Sequence, residues 1–167
     1  MAQLEALGGI VAGKDKIVHI KPHGAMYNQA AKNKDLANAI VDAIIDYNKD
    51  LILLALSGSK MVDSAREKGV KCASEVFADR AYEADGSLRA RSLENSMITD
   101  EDLAVERVIK MVKTGKVTAY TGEEIDIEAH SVCVHGDSEK AFVFVQKLNE
   151  AFSKNGIETV GLIEAIK

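Results

Sequence analysis

Leu51-Ile52-Leu53-Leu54-Ala55-Leu56, led in by Asp50 and closed by Ser57-Gly58-Ser59, is the stretch that sets the fold class. Its unbroken apolar run describes a strand covered on both faces, the pattern of a parallel sheet flanked by helices. The segments either side agree. Asp35 to Tyr47 carries Leu36, Ala39, Ile40, Ala43, Ile44 and Tyr47 at three-and-four spacing, which predicts an amphipathic helix. Lys60 to Lys68 predicts a second helix, ended by Gly69 as a C-terminal cap.

Further outward, Ile17 to Ile20 reads as a short strand stopped at Pro22, the single proline of the chain. Residues 2–10 read as the tail of a helix, as if the chain opens partway through an element. Val70 to Ala78 is a third strand, with Glu75 inside it. Residues 79–95 are irregular, polar and punctuated by Asp85-Gly86, and a long loop after a sheet strand is more often functional than idle. Thr99 with Asp102 approximates a capping box at the head of a helix carrying Leu103, Val105, Val108, Ile109 and Val112, ended at Gly115. Val117 to Tyr120 and Glu124 to Ile127 suit a small hairpin. Ser131 to His135 is the last clear sheet strand, and Glu139 to Phe152 a terminal helix with Ala141, Phe142, Val145, Leu148 and Phe152 inward. Residues 157–166 fit either an outer strand or a packed tail. Strands alternating with helices through long connections predict one α/β domain over residues 1–167, with parallel strands.

Composition narrows the function classes. The chain has 167 residues, 47% hydrophobic and 28% charged, an ordinary globular profile with room for one sizeable core. Aromatics are 5% and Trp is absent, so the core must rest on Val, Ile, Leu and Ala. The 21 basic and 26 acidic residues are well mixed, net charge −5, and no basic stripe invites nucleic acid. No apolar run approaches a membrane span and Met1 opens no signal peptide, so a cytoplasmic location is expected. Cys72 and Cys133 are isolated and are expected to be reduced thiols.

Three strand ends carry polar clusters: Lys21, His23 and Asn28; Glu75, Asp79 and Arg80; His135 and Asp137. Parallel strands place their carboxyl ends on one edge, so these clusters, and His23, Glu75 and His135 in particular, are expected to converge on one pocket. Lys and Arg suit a carboxylate or phosphate; His and Asp suit proton transfer or a metal. Structural alternatives stand beside these roles. Glu75 and Arg80 suit an ion pair, Asn28 and Asp137 suit helix N-caps, and His135-Gly136-Asp137 suits an anion at the last helix's N-terminus. No phosphate-binding glycine loop, dinucleotide fingerprint or CxxC pair occurs.

Three separated motifs carry a resemblance. Lys21-Pro22-His23-Gly24-Ala25-Met26-Tyr27-Asn28, Glu75-Val76-Phe77-Ala78-Asp79-Arg80-Ala81-Tyr82 and Val134-His135-Gly136-Asp137 resemble the LamB/YcsF family, in order and over essentially the whole chain. Gly86, Leu88 and Arg91 fit the same family's continuation. The resemblance implies a seven-stranded (β/α) barrel of the glycoside hydrolase/deacetylase kind, of which this chain is expected to be the C-terminal portion, an incomplete barrel lacking N-terminal strands. It implies hydrolysis of the 5-oxoproline lactam to glutamate with ATP cleavage, in company with subunits B and C of a 5-oxoprolinase. ATP is then the co-substrate, and a divalent metal ion is compatible with the family's barrel. In that reading His23, Glu75, His135 and Asp137 handle protons, while Lys21, Asn28, Asp79, Arg80 and Arg91 hold substrate and anions. A metal-dependent carbohydrate or amide deacetylase and a non-catalytic assembly subunit are the alternatives. An oligomer, or completion by another chain, is expected along the edge of the first strand.

Overall fold

The computed structural model describes residues 2–10, 17–136 and 141–167. The chain divides into two compact units, residues 1–74 and 75–167.

The first unit opens with helix α1 (Ala2–Ile10), strand β1 (His19–Ile20) and helix α2 (Gly24–Lys32). Helix α3 (Lys34–Asn48), strand β2 (Ile52–Leu56), helix α4 (Lys60–Glu67) and the start of strand β3 (Cys72–Phe77) follow. Every residue of β2 is buried, as its apolar run requires. β1 pairs with β2 in parallel, His19 opposite Ile52 and Ile20 opposite Leu53. The Leu53 N–H donates to the Lys71 carbonyl at 2.8 Å, which brings β2 alongside the chain entering β3. Helices α3 and α4 pack together, tied by Lys68 to Asp42 at 2.5 Å and Lys34 to Glu67 at 2.6 Å. Tyr47 of α3 donates its hydroxyl to the Leu4 carbonyl of α1 at 2.9 Å.

Helix α2 is absent from the sequence reading, which places Asn28 as a cap. Asn28 instead lies inside α2 with its amide nitrogen donating to the Gly24 carbonyl at 3.2 Å. The cap is Asn33, whose side-chain oxygen accepts from the Leu36 N–H at 3.1 Å and starts α3.

In the second unit β3 runs on from Glu75 and pairs in parallel with strand β6 (Ser131–Cys133). Between them come helix α5 (Glu101–Thr114), then strands β4 (Lys116–Thr118) and β5 (Glu124–Asp126) as an antiparallel hairpin. Helix α6 (Ala141–Lys154) and a short helix α7 (Leu162–Ala165) complete it, so the ambiguous tail is helical rather than a strand. Gly115 ends α5 at φ 64°, a left-handed position where a side chain is strained, and the hairpin begins at the next residue.

Ala78, Val108 and Leu148 centre the core of this unit, with Val105, Val112, Val132, Val134, Phe144 and Phe152 packed round them. The inward stripe of α6 is therefore Phe144, Leu148 and Phe152; Phe142, expected inside, is 71% exposed. Likewise α5 buries Ala104, Val108 and Met111 and leaves Leu103 exposed. Both cysteines are free. Among the described residues no helix is long and apolar enough to cross a membrane.

The cap of α5 is Asp100, not Thr99: one carboxylate oxygen accepts from the Asp102 and Leu103 N–H groups at 2.9 and 3.0 Å. Asp100→Ala should lower stability by about 1 kcal/mol in urea unfolding. An unchanged midpoint would mean that water serves those two donors equally well.

Candidate functional site

The site grows from the register of β3 and β6. Glu75 lies opposite Ser131, Val76 opposite Val132 and Phe77 opposite Cys133. In a parallel pair, opposed residues share a face and alternate residues return to it. Val76, Ala78, Val132 and Val134 thus turn to the helices, while Glu75, Phe77 and Asp79 share the other face with Ser131, Cys133 and His135. Two residues beyond the last ladder pair, the same count sets Asp79 beside His135. Their contact is direct: Asp79 Oδ2 lies 2.9 Å from His135 Nδ1. The imidazole also leans on the Phe77 ring, centroids 6.0 Å apart.

Both residues line a cavity of about 330 Å³ over the ends of the two strands. Its walls are Ala78, Cys133 and Val134 from the sheet, Met97, Ile98 and Thr99 from the approach to α5, Glu101 and Ala104 from α5, and Ala141 and Phe144 from α6. Asp79 Oδ1 is buried with no hydrogen-bond partner among the described residues. A carboxylate only accepts, so its bond to His135 places the proton on Nδ1 and leaves Nε2 of the neutral ring with a lone pair.

The loop after β3 is held by its own backbone. Ile98 N–H donates to the Asp79 carbonyl at 2.8 Å, Ala81 N–H to Ser96 at 3.0 Å and Arg89 N–H to Ala81 at 2.9 Å. The fold-back turns through Asp85-Gly86, where Gly86 has φ 80°. Arg89 stacks 3.6 Å over the Tyr120 ring and pairs with Glu83 at 2.8 Å. Arg80 donates through Nη2 to the Arg89 carbonyl at 2.5 Å, and Arg107 of α5 donates to the Arg80 carbonyl at 3.2 Å. Beneath them Tyr82 is wholly buried, its hydroxyl oxygen accepting from the Phe77 N–H at 2.9 Å. Burial pushes the Tyr82 pKa up, and neighbouring Glu75 adds to that against the Phe77 bond, Arg107 and Arg80, so the phenol stays protonated.

Of the residues singled out from sequence, the cavity wall takes Asp79 and His135. Glu75 is 2% exposed inside β3. Arg80 is buried in the loop and Arg91 is exposed on it. Lys21, His23 and Asn28 belong to the first unit, where Lys21 lies 5.5 Å from the Tyr27 ring centroid and His23 is the exposed residue before α2. Asp137 lies outside the described residues. The sequence reading missed Arg107, Glu101 and the apolar wall. Arg107 had a signal: at three and four residues from Ala104 and Met111, it is a cation within the buried stripe of α5.

The sequence model of the LamB/YcsF family matches residues 1–167. A relative from Clostridium beijerinckii, named as the A subunit of 5-oxoprolinase, is 54% identical over 147 residues, covering 88% of this chain and 58% of the relative. Proteins of the same name from Campylobacter jejuni subsp. doylei and Fusobacterium nucleatum are 50% and 49% identical, covering 96% and 99% of this chain and 63% and 65% of theirs. A crystal structure of a lactam utilization protein from Thermus thermophilus superposes with a TM-score of 0.80 at 33% identity, over 93% of this chain and 61% of that one. The chain thus spans about three-fifths of the length of the relatives it matches.

Tyr82→Phe removes the acceptor of a buried backbone N–H at the end of β3. It should cost about 1–3 kcal/mol in denaturant unfolding. Wild-type stability would mean that the Phe77 N–H finds another acceptor.

Proposed function

Because the chain belongs to the LamB/YcsF family, we propose that it handles the lactam in an ATP-dependent 5-oxoprolinase, opening 5-oxoproline to glutamate together with partner subunits B and C. The names of its relatives and of its structural neighbour support this reading. The observation that carries the chemistry is the 2.9 Å bond between Asp79 and His135 at the wall of the cavity.

Opening a lactam with water forms a bond from the water oxygen to the ring carbonyl carbon, breaks that carbon's bond to nitrogen, and moves a proton from water to the departing nitrogen. An amide carbonyl resists water, and ATP supplies the phosphoryl group that activates it. This chain's part is the proton. His135 Nε2 takes it from the attacking water and returns it to the ring nitrogen, as a general base and then a general acid. Asp79 is the positioning residue: it fixes the tautomer and steadies the imidazolium while the proton is held. The further roles given to Lys21, His23, Asn28, Glu75 and Asp137 rest on the family resemblance.

Among the described residues no group of three His, Cys, Asp or Glu side chains is arranged to hold a metal ion, so no step here runs through one.

The test is ATP-dependent glutamate formation by the assembled enzyme. His135→Gln should lower kcat by about 10²–10⁴-fold. Asp79→Asn should lower kcat and displace the pH profile of kcat/KM, which loss of a merely structural contact would not do. Wild-type turnover in His135→Gln would remove His135 from the mechanism.

A further inference from the structure

Most cations of the second unit have a counter-charge. Arg89 pairs with Glu83, Lys110 with Glu124, Lys116 with Asp126, and Lys147 with Glu101 and Asp102. Arg80, Arg91 and Arg107 make no ion pair among the described residues. For Arg91, which is exposed, that is ordinary. For Arg80, 6% exposed, it is not, because a buried charge without a partner is costly.

The three lie close together. Arg107 meets the Arg80 carbonyl, and Arg80 meets the carbonyl of Arg89, two residues before Arg91. Arg80 also bridges antiparallel to Met97 across the same fold-back, and the Arg91 carbonyl accepts from the Ser96 hydroxyl at 3.3 Å. Each of the two inner guanidiniums is thus fixed by one backbone carbonyl. The Nε of Arg80 and of Arg107 are buried with no acceptor among the described residues. Burial, and then Arg91, lower the Arg80 pKa against the pull of Asp79 and Tyr82; burial lowers that of Arg107. Guanidinium nevertheless stays charged at physiological pH. A fold that needed these groups only as loop staples would gain by setting a carboxylate among them, as it does at Arg89.

We propose that Arg80, Arg91 and Arg107 form a binding site for an oxyanion, a carboxylate or a phosphate, on the loop that follows β3. Guanidinium forks match both groups in geometry, and the fixed inner pair spends little conformational freedom on capture. The site stands independently of the lactam reading, since it is read by binding without turnover.

Calorimetric titration of the full chain with inorganic phosphate, and separately with 5-oxoproline as the carboxylate, tests it. At least one should bind, and Arg91→Ala, an exposed change that leaves the fold intact, should weaken its Kd by about tenfold or more. Arg107→Lys keeps the charge but loses the fork and should weaken the same Kd, with thermal unfolding as the control for folding. Binding of 5-oxoproline places the substrate's carboxylate here; binding of phosphate alone places a phosphoryl group here. Either supports the site. No binding of either probe at millimolar concentration, or an unchanged Kd in Arg91→Ala, would overturn it.

Discussion

The parallel register of β3 against β6 is the constraint on which the rest depends. With Phe77 opposite Cys133, the residues two further on must meet at the strand ends, and these are Asp79 and His135. A slip of one residue would turn His135 toward the helices and bring Val134 to the other face. Register here is firmly set, because Ala78, Val132 and Val134 must reach Val108, Phe144 and Leu148 while charged and polar residues take the opposite side. The apolar core of one face thereby positions the chemistry at the end of the sheet.

The loop after β3 extends the same logic. Its backbone bonds to itself, Arg89 is clamped between Tyr120 and Glu83, and Tyr82 closes the bottom by taking the Phe77 N–H. A segment so tied holds Asp79 and Arg80 at fixed positions, and preorganisation is what a proton-transfer group and an anion-binding fork both need. The contrast between Arg89, fully paired, and Arg80 and Arg107, each with a bare buried Nε, separates the stapling arginine from those with capacity to spare.

Much of this was legible in the residues. The run Leu51 to Leu56 could only be a strand buried on both faces, and parallel α/β organisation followed from it. The polar ends of β3 and β6 were visible as clusters, and two of their members, Asp79 and His135, do meet. What stayed hidden was pairing and rotation. Ala141 to Val145 is apolar throughout, so several stripes suit α6 equally, and packing on Ala78 and Val108 selected the one through Phe144 rather than Phe142. Helix α2 has few apolar residues to announce it, only Tyr27 and Ala30 being buried. Asp100 and Thr99 are both sound N-caps, and one residue of phase in α5 decided between them. Arg107 is marked only by its phase with Ala104 and Met111, and that phase has meaning only once packing shows which stripe of α5 turns inward.

The central claim is that Asp79 holds His135 with its proton on Nδ1 and its lone pair on Nε2. Nitrogen-15 NMR of the imidazoles reads this without substrate, partner subunits or turnover. The account predicts that neutral His135 is in the Nδ1–H form, and that Asp79→Asn shifts the ring toward the tautomer mixture of an unconstrained histidine. A neutral His135 with its proton on Nε2, or a tautomer ratio indifferent to Asp79→Asn, would contradict it.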